Sequence, residues 1–533
     1  MVPFLFGKIM EKIIESNFIR SKIEADIKNG KITTDSVVVR FPPEPNGYLH
    51  LGHAKSIIMH KNIMNDFNAK LRLRFDDTNP EKETEEYVEN IKKDFFWLLD
   101  KPVEIVWASN YFDKIYECAV YLIKNDLAYV DFSSFDEMKE LRGNFNKIGI
   151  SSPYRNLDPS KNLTIFEEMK AGRYNDGHCV LRLKIDMAHG NMNMRDPVIY
   201  RIKHAHHHNT GDKWCIYPMY DFAHPISDAI EKVTHSLCTL EFEDHRPLYD
   251  WILDKCYPIL GHISEQTEFA KLEVKELVLS KRKLNNLVIE NKVSGWTASN
   301  MPTLSGLRNR GFNPLIIEEY MNRCGVSKAN SVIEPTLLSE VARELLNPIA
   351  LRTMAIINPV KLILDNLEES FEATVSNHPK DTSKGTRTVN LTKELYIDSD
   401  DVKMEAEKDF WRVYPGNWVR LKHAINILIK SVEMINGELI VHADVDYDSR
   451  DMKKAKVKAK GMIHWLSIED SLEKSANFYH NLFNIDGSFN ENNLERKAIF
   501  VHKDILNNNY YEFERVGYFW INDDIHHLSN LKF

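Results

Sequence analysis

"RFPPEPNGYLHLGHAKS", residues 40 to 56, places three prolines in four positions, a glycine at 47, and histidines at 50 and 53. Upstream, "SVVVRF" is a run of β-branched residues and reads as a strand. The prolines fix φ and hold the loop leaving that strand extended. Gly47 permits a tight turn or a close backbone approach to a ligand. A helix then starts near Leu51, and its free N–H groups and positive dipole end face the loop, an arrangement that attracts anions. His50 and His53, at i and i+3, lie on one face of its first turn. In isolation such a pair reads as one packed and one exposed histidine. Between a strand, a stiff loop and a helix head it reads as a phosphate site with two imidazole donors.

Outward from this stretch, "KLRLRF" (70–75) reads as a second strand ending on Asp76 and Asp77. After it, Tyr87, Ile91 and Phe95 recur four apart and mark an amphipathic helix. "VEIVWAS" and a helix from Tyr111 to Ala128 complete a βαβαβα array, which predicts a parallel sheet with helices on both faces. The alternation breaks over 129–211, which is richer in Asn, Gly and polar residues and reads as an insertion. Sheet texture resumes with "KWCIYPMYDF", a helix from about Pro225, "VTHSLCT", a helix from Pro247 to Tyr257, and "TEFAKLEV". Helical patterns dominate 283–347. Beyond Pro348, short apolar alternations such as "NWVRLKHAINIL" and "ELIVHADVDY" predict an all-β region sized for two small barrels or a sandwich. The expected domains are therefore 1–128 and 212–282 as two halves of an α/β domain, 129–211 inserted, 283–347 helical and 348–533 all-β.

Composition bounds the function classes. The chain has 533 residues, 43% hydrophobic and 28% charged, an ordinary globular profile too long for one core. No apolar run approaches the roughly 20 residues that cross a bilayer, so no membrane partner is expected. The N-terminal "MVPFLFGKIMEKIIE" carries Glu11 and Glu15 and lacks the features of a transit peptide. Cys118, Cys179, Cys215, Cys238, Cys256 and Cys324 are scattered without a C-x-x-C pair, which predicts reduced thiols and a cytoplasmic location. With a formal net charge of −9, any polyanion must be met by local basic patches.

A second element is "LVLSKRKL", 277–284, a loop whose lysine can swing onto a polyphosphate. "HLGH" after "PPEPNGYL" resembles the HIGH motif of class I aminoacyl-tRNA synthetases, in the glutamyl and glutaminyl branch. "LSKRK" resembles their KMSKS loop, with Lys281 as the second lysine. Leu279 replaces the more familiar methionine, and Lys271 stands where arginine is usual. The resemblance implies a Rossmann-like class I catalytic domain with an inserted acceptor-end domain, a helical connector and two C-terminal anticodon-binding β-barrels. It implies ATP, with Mg²⁺ accompanying it, and names His50, His53 and Lys281 as catalytic. It assigns ATP contacts to Glu44, Pro45, Asn46, Leu51, Gly52, Ala54, Lys55 and Ser56. Thr239, Lys271, Leu272, Leu279 and Ser280 join them from later in the chain.

By the same resemblance Arg40 and Asp76 handle the substrate amine and its surroundings, while Tyr220 and Gln266 read a side-chain amide. A glutamate pocket wants a fixed cation, usually arginine. A glutamine pocket wants matched neutral partners, because an unpaired buried charge is costly. "THSLCTLEF" places Cys238 where glutamyl relatives carry arginine, so L-glutamine and tRNA(Gln) are the expected substrates and the reaction is that of a glutamine–tRNA ligase. A glutamyl or non-discriminating relative and a non-catalytic tRNA-binding paralogue are the alternatives. Asp244 falls where the family reads the acceptor stem. Arg352, Arg412, Arg420, Lys422 and Arg515, interleaved with Trp411, Tyr414, Trp418 and Phe513, suit unstacked anticodon bases. "KKAKVKAK" (453–460) reads as lysines alternating on a strand face, and "KHAHHH" (203–208) as an exposed, tRNA-side cluster in preference to a metal site. A monomer is the family expectation.

Overall fold

The computed structural model describes residues 17–81 and 84–528. The N-terminal segment weighed above as a transit peptide, and the last five residues of "HHLSNLKF", lie outside them. The chain divides into two compact units, the first holding residues to 273 with 303–305 and 321–333, the second the remainder.

In the first unit, α1 (Phe18–Lys28) precedes β1 (Val38–Phe41), α2 (Leu51–Phe67), β2 (Lys70–Phe75), α3 (Glu85–Leu99), β3 (Glu104–Trp107) and α4 (Phe112–Lys124). β1, β2 and β3 pair in parallel, with Val38 opposite Lys70 and Arg72 opposite Glu104. α3 starts at the Thr84 cap and stops at Asp100 in the left-handed region, φ 55°. Its buried Val88, Ile91, Phe95 and Leu98 form the stripe that seats it on the sheet, with Phe95 stacked on Phe41 of β1 at 5.6 Å. Burying each such side chain contributes about 1.5–3 kcal/mol.

The insertion contributes β4 (Ala128–Asp131), α5 (Phe135–Arg142), α6 (Pro159–Lys170), β5 (Val180–Leu183), β6 (Val198–Ile202) and β7 (Ile216–Pro218). These four strands form one antiparallel sheet in chain order. The strand in "KWCIYPMYDF" thus pairs with β6 and not with the parallel sheet. After it come α7 (Tyr220–Ile230), β8 (His235–Thr239), α8 (Arg246–Leu260) and β9 (Glu265–Phe269). The antiparallel sheet shares a core with α4, α7 and α8, centred on Phe112, Leu181, Tyr217, Ile226 and Leu253.

β8 and β9 are parallel, and the Thr234 amide donates to the Val38 carbonyl at 3.0 Å, setting β8 beside β1. The order is therefore β3-β2-β1-β8-β9. The strand order reverses between β1 and β8, the switch point where a crevice opens at the carboxyl ends of an open α/β sheet. His50, Asp76 and Thr239 stand at those ends.

The second unit holds α9 (Lys281–Ile289), the helix Thr336–Leu346 and two seven-stranded, barrel-like sheets. One sheet is built on the long hairpin Asn426–Ile435 and Glu438–Asp446, around a core with Val419, Ile427, Val441 and Trp465. The other centres on Ser471–Tyr479 paired with Leu494–His502, around Ile499, Phe513 and Phe519. Period-two burial, as in Pro359–Leu364, explains why these stretches were legible as strands. "KKAKVKAK" is a correction: 453–460 is turn and bend, not strand. Buried Asp446 accepts the Lys456 amide at 2.9 Å and Asn426 donates to the Val457 carbonyl at 2.8 Å, so side chains hold this backbone where a ladder would.

Candidate functional site

The head of α2 is capped by its own two histidines. His50 Nδ1 accepts the Gly52 amide at 3.1 Å, and His53 Nδ1 accepts the His50 amide at 3.1 Å. With both Nδ1 lone pairs engaged, each neutral ring carries its proton on Nε2. The rings lie 4.0 Å apart between centroids, and the first turn contains no acidic residue to offset the helix dipole. The Leu304 amide donates to the Leu49 carbonyl at 2.9 Å and Thr303 bridges His50, bracing the approach to the helix. Pro45, Leu51 and Ala54 are buried, Glu44 is exposed, and Asn46, Gly52 and Ser56 are half-buried. Lys55 is buried, and burial pulls its ammonium pKa down.

Beside the helix head, a charged cluster is sealed from water. Arg40, fully buried, donates from Nε to Asp228 Oδ1 at 3.1 Å, from Nη1 to the Leu237 carbonyl at 3.0 Å and from Nη2 to Ser236 Oγ at 2.6 Å. It also contacts His224 Nε2, and Cys238 Sγ at 3.8 Å. Arg74 donates to Asp228 at 2.6 Å and to Asp76 Oδ1 at 2.7 Å. Asp228 further accepts the Tyr249 hydroxyl at 2.9 Å. Burial alone raises a carboxyl pKa, but Arg40, His224 and Arg74 overcome it and hold Asp228 well below the usual range. Burial pulls the His224 imidazole down. Asp76 is 4% exposed, its amide is held by the Pro43 carbonyl at 3.1 Å, and its Oδ2 has no hydrogen-bond partner. A buried carboxylate oxygen left without a donor is costly unless a ligand supplies one.

Tyr220 opens α7 with its ring against His224 and Phe242, and desolvation pushes its phenol well above the ordinary value. Gln266 donates to the Phe242 carbonyl at 3.2 Å and to Glu268 Oε1 at 3.0 Å. Thr239 ends β8, and Leu272 is buried beside exposed Lys271, which lies 3.5 Å from Glu241. The exposed Asp244 gives its carbonyl to Asn191 at 2.6 Å and Asn193 at 3.2 Å, joining the insertion to this loop.

In the second unit, Ser280 stands at the N-cap position of α9 without a side-chain capping bond, and Lys281 is the first residue of that helix, after the half-buried Leu279. Arg515 clasps Asp401 with two bonds, at 3.0 and 2.9 Å, and Arg412 takes the same carboxylate at 2.7 Å. Lys460 sits 4.1 Å over the exposed ring of Trp411. Arg420 donates to Asn426, Ser449 and Ala424, and Lys422 pairs with Glu514 at 2.7 Å. Arg352 is buried, bonded to Ala350 and Asn347 and paired with Glu512 at 2.7 Å, so the protein itself occupies its guanidinium.

The histidine run differs from its sequence reading. His204, His206 and His208 are exposed, but His207 is fully buried, and His207 and His208 both meet Asp77. Asp77, His207 and His208 are the one metal-type grouping among the described residues. Sequence reasoning also passed over Asp228, whose guanidinium partners Arg40 and Arg74 lie 188 and 154 residues away in the chain. Phe145 is 88% exposed, an aromatic isolated among the polar residues of "GNFNKIG".

Residues 36–348 match the family model for the catalytic domain of class I tRNA synthetases (E and Q), and 350–448 and 462–522 match the two anticodon-binding domain models of that family. Curated relatives are named glutamine–tRNA ligase. That of Clostridium kluyveri is 48% identical over 88% of this chain and 84% of its own length. Those of Neisseria meningitidis (44%; 96% of this chain and 94% of the relative) and Aliivibrio salmonicida (46%; 95% of each) are similar along nearly their whole length. A Rossmann-type sheet whose carboxyl edge carries HLGH, followed by two barrel-like sheets, is the architecture these matches describe, and the chain belongs to the class I (E and Q) tRNA synthetases.

Proposed function

We propose that the protein is a glutamine–tRNA ligase, converting L-glutamine, ATP and tRNA(Gln) to glutaminyl-tRNA, AMP and pyrophosphate. The Nε2–H groups of His50 and His53 donate to the phosphates, aided by the N-terminal dipole of α2. Asp76 Oδ2, buried and without a donor, takes the glutamine ammonium. A glutamine carboxylate oxygen attacks the α-phosphorus in line, the bond to the bridging oxygen breaks, and pyrophosphate leaves with its electron pair. By the family resemblance, Lys281 is the residue that stabilises that charge. A ribose hydroxyl of the tRNA end then attacks the mixed anhydride and AMP departs. Positioning and fixed charge supply most of the acceleration. Mg²⁺ arriving with ATP would add charge neutralisation on the phosphates.

The observation that carries the amino-acid assignment is the state of Arg40. Asp228, Ser236 and the Leu237 carbonyl accept its donors, and Cys238 fills the adjacent space. A carboxylate side chain entering here meets a cation already compensated, whereas a neutral amide meets Tyr220 and Gln266. Phe145, Asp244 and the insertion face the acceptor end in this reading. Arg412, Arg420, Lys422 and Arg515, with Trp411, serve the anticodon. Aminoacylation of transcripts bearing CUG, UUG or glutamate anticodons tests it. Glutamine is charged onto the first two. Charging of glutamate overturns the specificity, and charging of neither leaves a tRNA-binding paralogue.

A further inference from the structure

The turn 207–211 of the insertion lies against the carboxyl ends of β2 and β3. His207 Nε2 donates to the Asp77 carbonyl at 2.7 Å, while its Nδ1 accepts the amides of Asn209 at 3.2 Å and Thr210 at 3.3 Å. His208 Nε2 meets Asp77 Oδ2 at 3.0 Å, and Asn209 donates to Ser109 Oγ at 2.7 Å. Ser109 completes the carboxylate with its amide at 2.8 Å and its hydroxyl at 2.6 Å. Gly211, at φ +61°, lets the turn close back on His207. The two imidazoles stack at 4.7 Å and 29°, and the hydrogen bonds of His207 use both its ring nitrogens. The ligand atoms of Asp77, His207 and His208 lie within 4.8 Å of one another, but His207 has its Nδ1 lone pair committed to backbone amides and its Nε2–H to the Asp77 carbonyl, so the group is built here as a hydrogen-bonded latch.

Asp77 is fully buried and follows Asp76 directly. Both follow the last residue of β2, Phe75, and their carboxylates have different partners, Arg74 for Asp76 and Ser109 with His208 for Asp77. Fixing the Asp77 carboxylate anchors the Cα that closes the Asp76–Asp77 peptide, and fixing its carbonyl holds the peptide that follows, so the backbone beside Asp76 is pinned from its C-terminal side. We propose that His207 and His208 are positioning residues of the amino-acid site, through which the inserted domain sets where the Asp76 carboxylate stands. The inference rests on the glutamine–tRNA ligase reading.

The test is pyrophosphate exchange, with tRNA present, on the full chain and its His208→Ala, His208→Gln and Ser109→Ala variants. Losing a hydrogen bond to a buried charge corresponds to roughly a 10- to 100-fold effect. His208→Ala is expected to raise the glutamine KM by that factor while the ATP KM stays within about twofold. His208→Gln, whose amide nitrogen reaches the place of Nε2, restores the glutamine KM. Ser109→Ala, which removes a donor to the same carboxylate from outside the insertion, raises it too. A merely structural role lowers the active fraction and melting temperature and leaves the glutamine KM unmoved, and that result overturns the proposal. So does equal behaviour of His208→Ala and His208→Gln. Absence of glutamine-dependent exchange in the wild type overturns the ligase reading and the latch together, whereas exchange with unmoved KM values overturns the latch alone.

Discussion

Replacing Asp228 by asparagine removes the one charge that two buried guanidinium groups share. Asp228 is fully buried and accepts Arg40 at 3.1 and 3.2 Å, Arg74 at 2.6 Å and Tyr249 at 2.9 Å. Asparagine keeps the shape, loses the charge and turns one acceptor into a donor facing a cation. Breaking a buried ion pair by removing one partner costs about 3–5 kcal/mol. For a unit of a few hundred residues, at about 2–4 °C per kcal/mol, melting should fall by roughly 6–20 °C. The acid limb changes as well. The folded pKa of Asp228 lies well below its ordinary 3.8, so its stabilisation is present above about pH 4 and is lost as pH falls through the folded value. Asp228→Asn lacks that loss, and its stability deficit narrows on acidification. Uncovering Arg40 also raises the ratio of glutamate to glutamine charging. Thermal melts from pH 7 to pH 3 and paired aminoacylation assays read both effects. A variant that melts within about 2 °C of the wild type at pH 7 and keeps its glutamine preference would refute the idea that Asp228 compensates the pocket.

Three further substitutions separate folding from chemistry. His50→Asn keeps a helix cap, so stability should change by less than about 1 kcal/mol, while loss of the Nε2–H donor slows pyrophosphate exchange by about 10²–10³; an unchanged rate contradicts the phosphate role. Burial holds His60 at a pKa of about 4, so the folded state resists its protonation and stability is lost as pH falls from 6.5 to 4. His60→Leu should recover about 3 kcal/mol at pH 4 and little at pH 7, read from urea midpoints. At Gly461 an added Cβ would stand 1.9 Å from the Trp411 carbonyl oxygen, so Gly461→Ala should cost about 1–3 kcal/mol and weaken tRNA binding by displacing Trp411; unchanged binding removes Trp411 from the tRNA surface.

What the sequence made legible is what local pattern decides. The helix from Leu51, the strand "KLRLRF" and the alternating strands of the second unit follow from period and from turn residues, and they stand where the pattern places them. The imidazole pair at the head of a helix was likewise readable, because its elements are contiguous. The capping bonds that set both tautomers were not, since they depend on ring orientation. Long-range partners escaped for the same reason. Nothing near Arg40 announces Asp228, and nothing in "KHAHHH" announces that Asp77, 130 residues earlier, buries one histidine and holds the next. Arg352 reads like its cationic neighbours until its neighbours in space take its donors. The lysine run lost its predicted strand to Asp446, whose carboxylate holds the backbone amide of Lys456.

The most direct measurement is the rate of amino-acid-dependent exchange of labelled pyrophosphate into ATP, with tRNA present, for the wild type and for His50→Asn, His53→Ala and Lys281→Ala. Exchange that depends on glutamine, ignores glutamate and falls at least about 100-fold in each variant is the predicted result. Exchange driven by glutamate, or rates that survive loss of both imidazoles, would contradict the account.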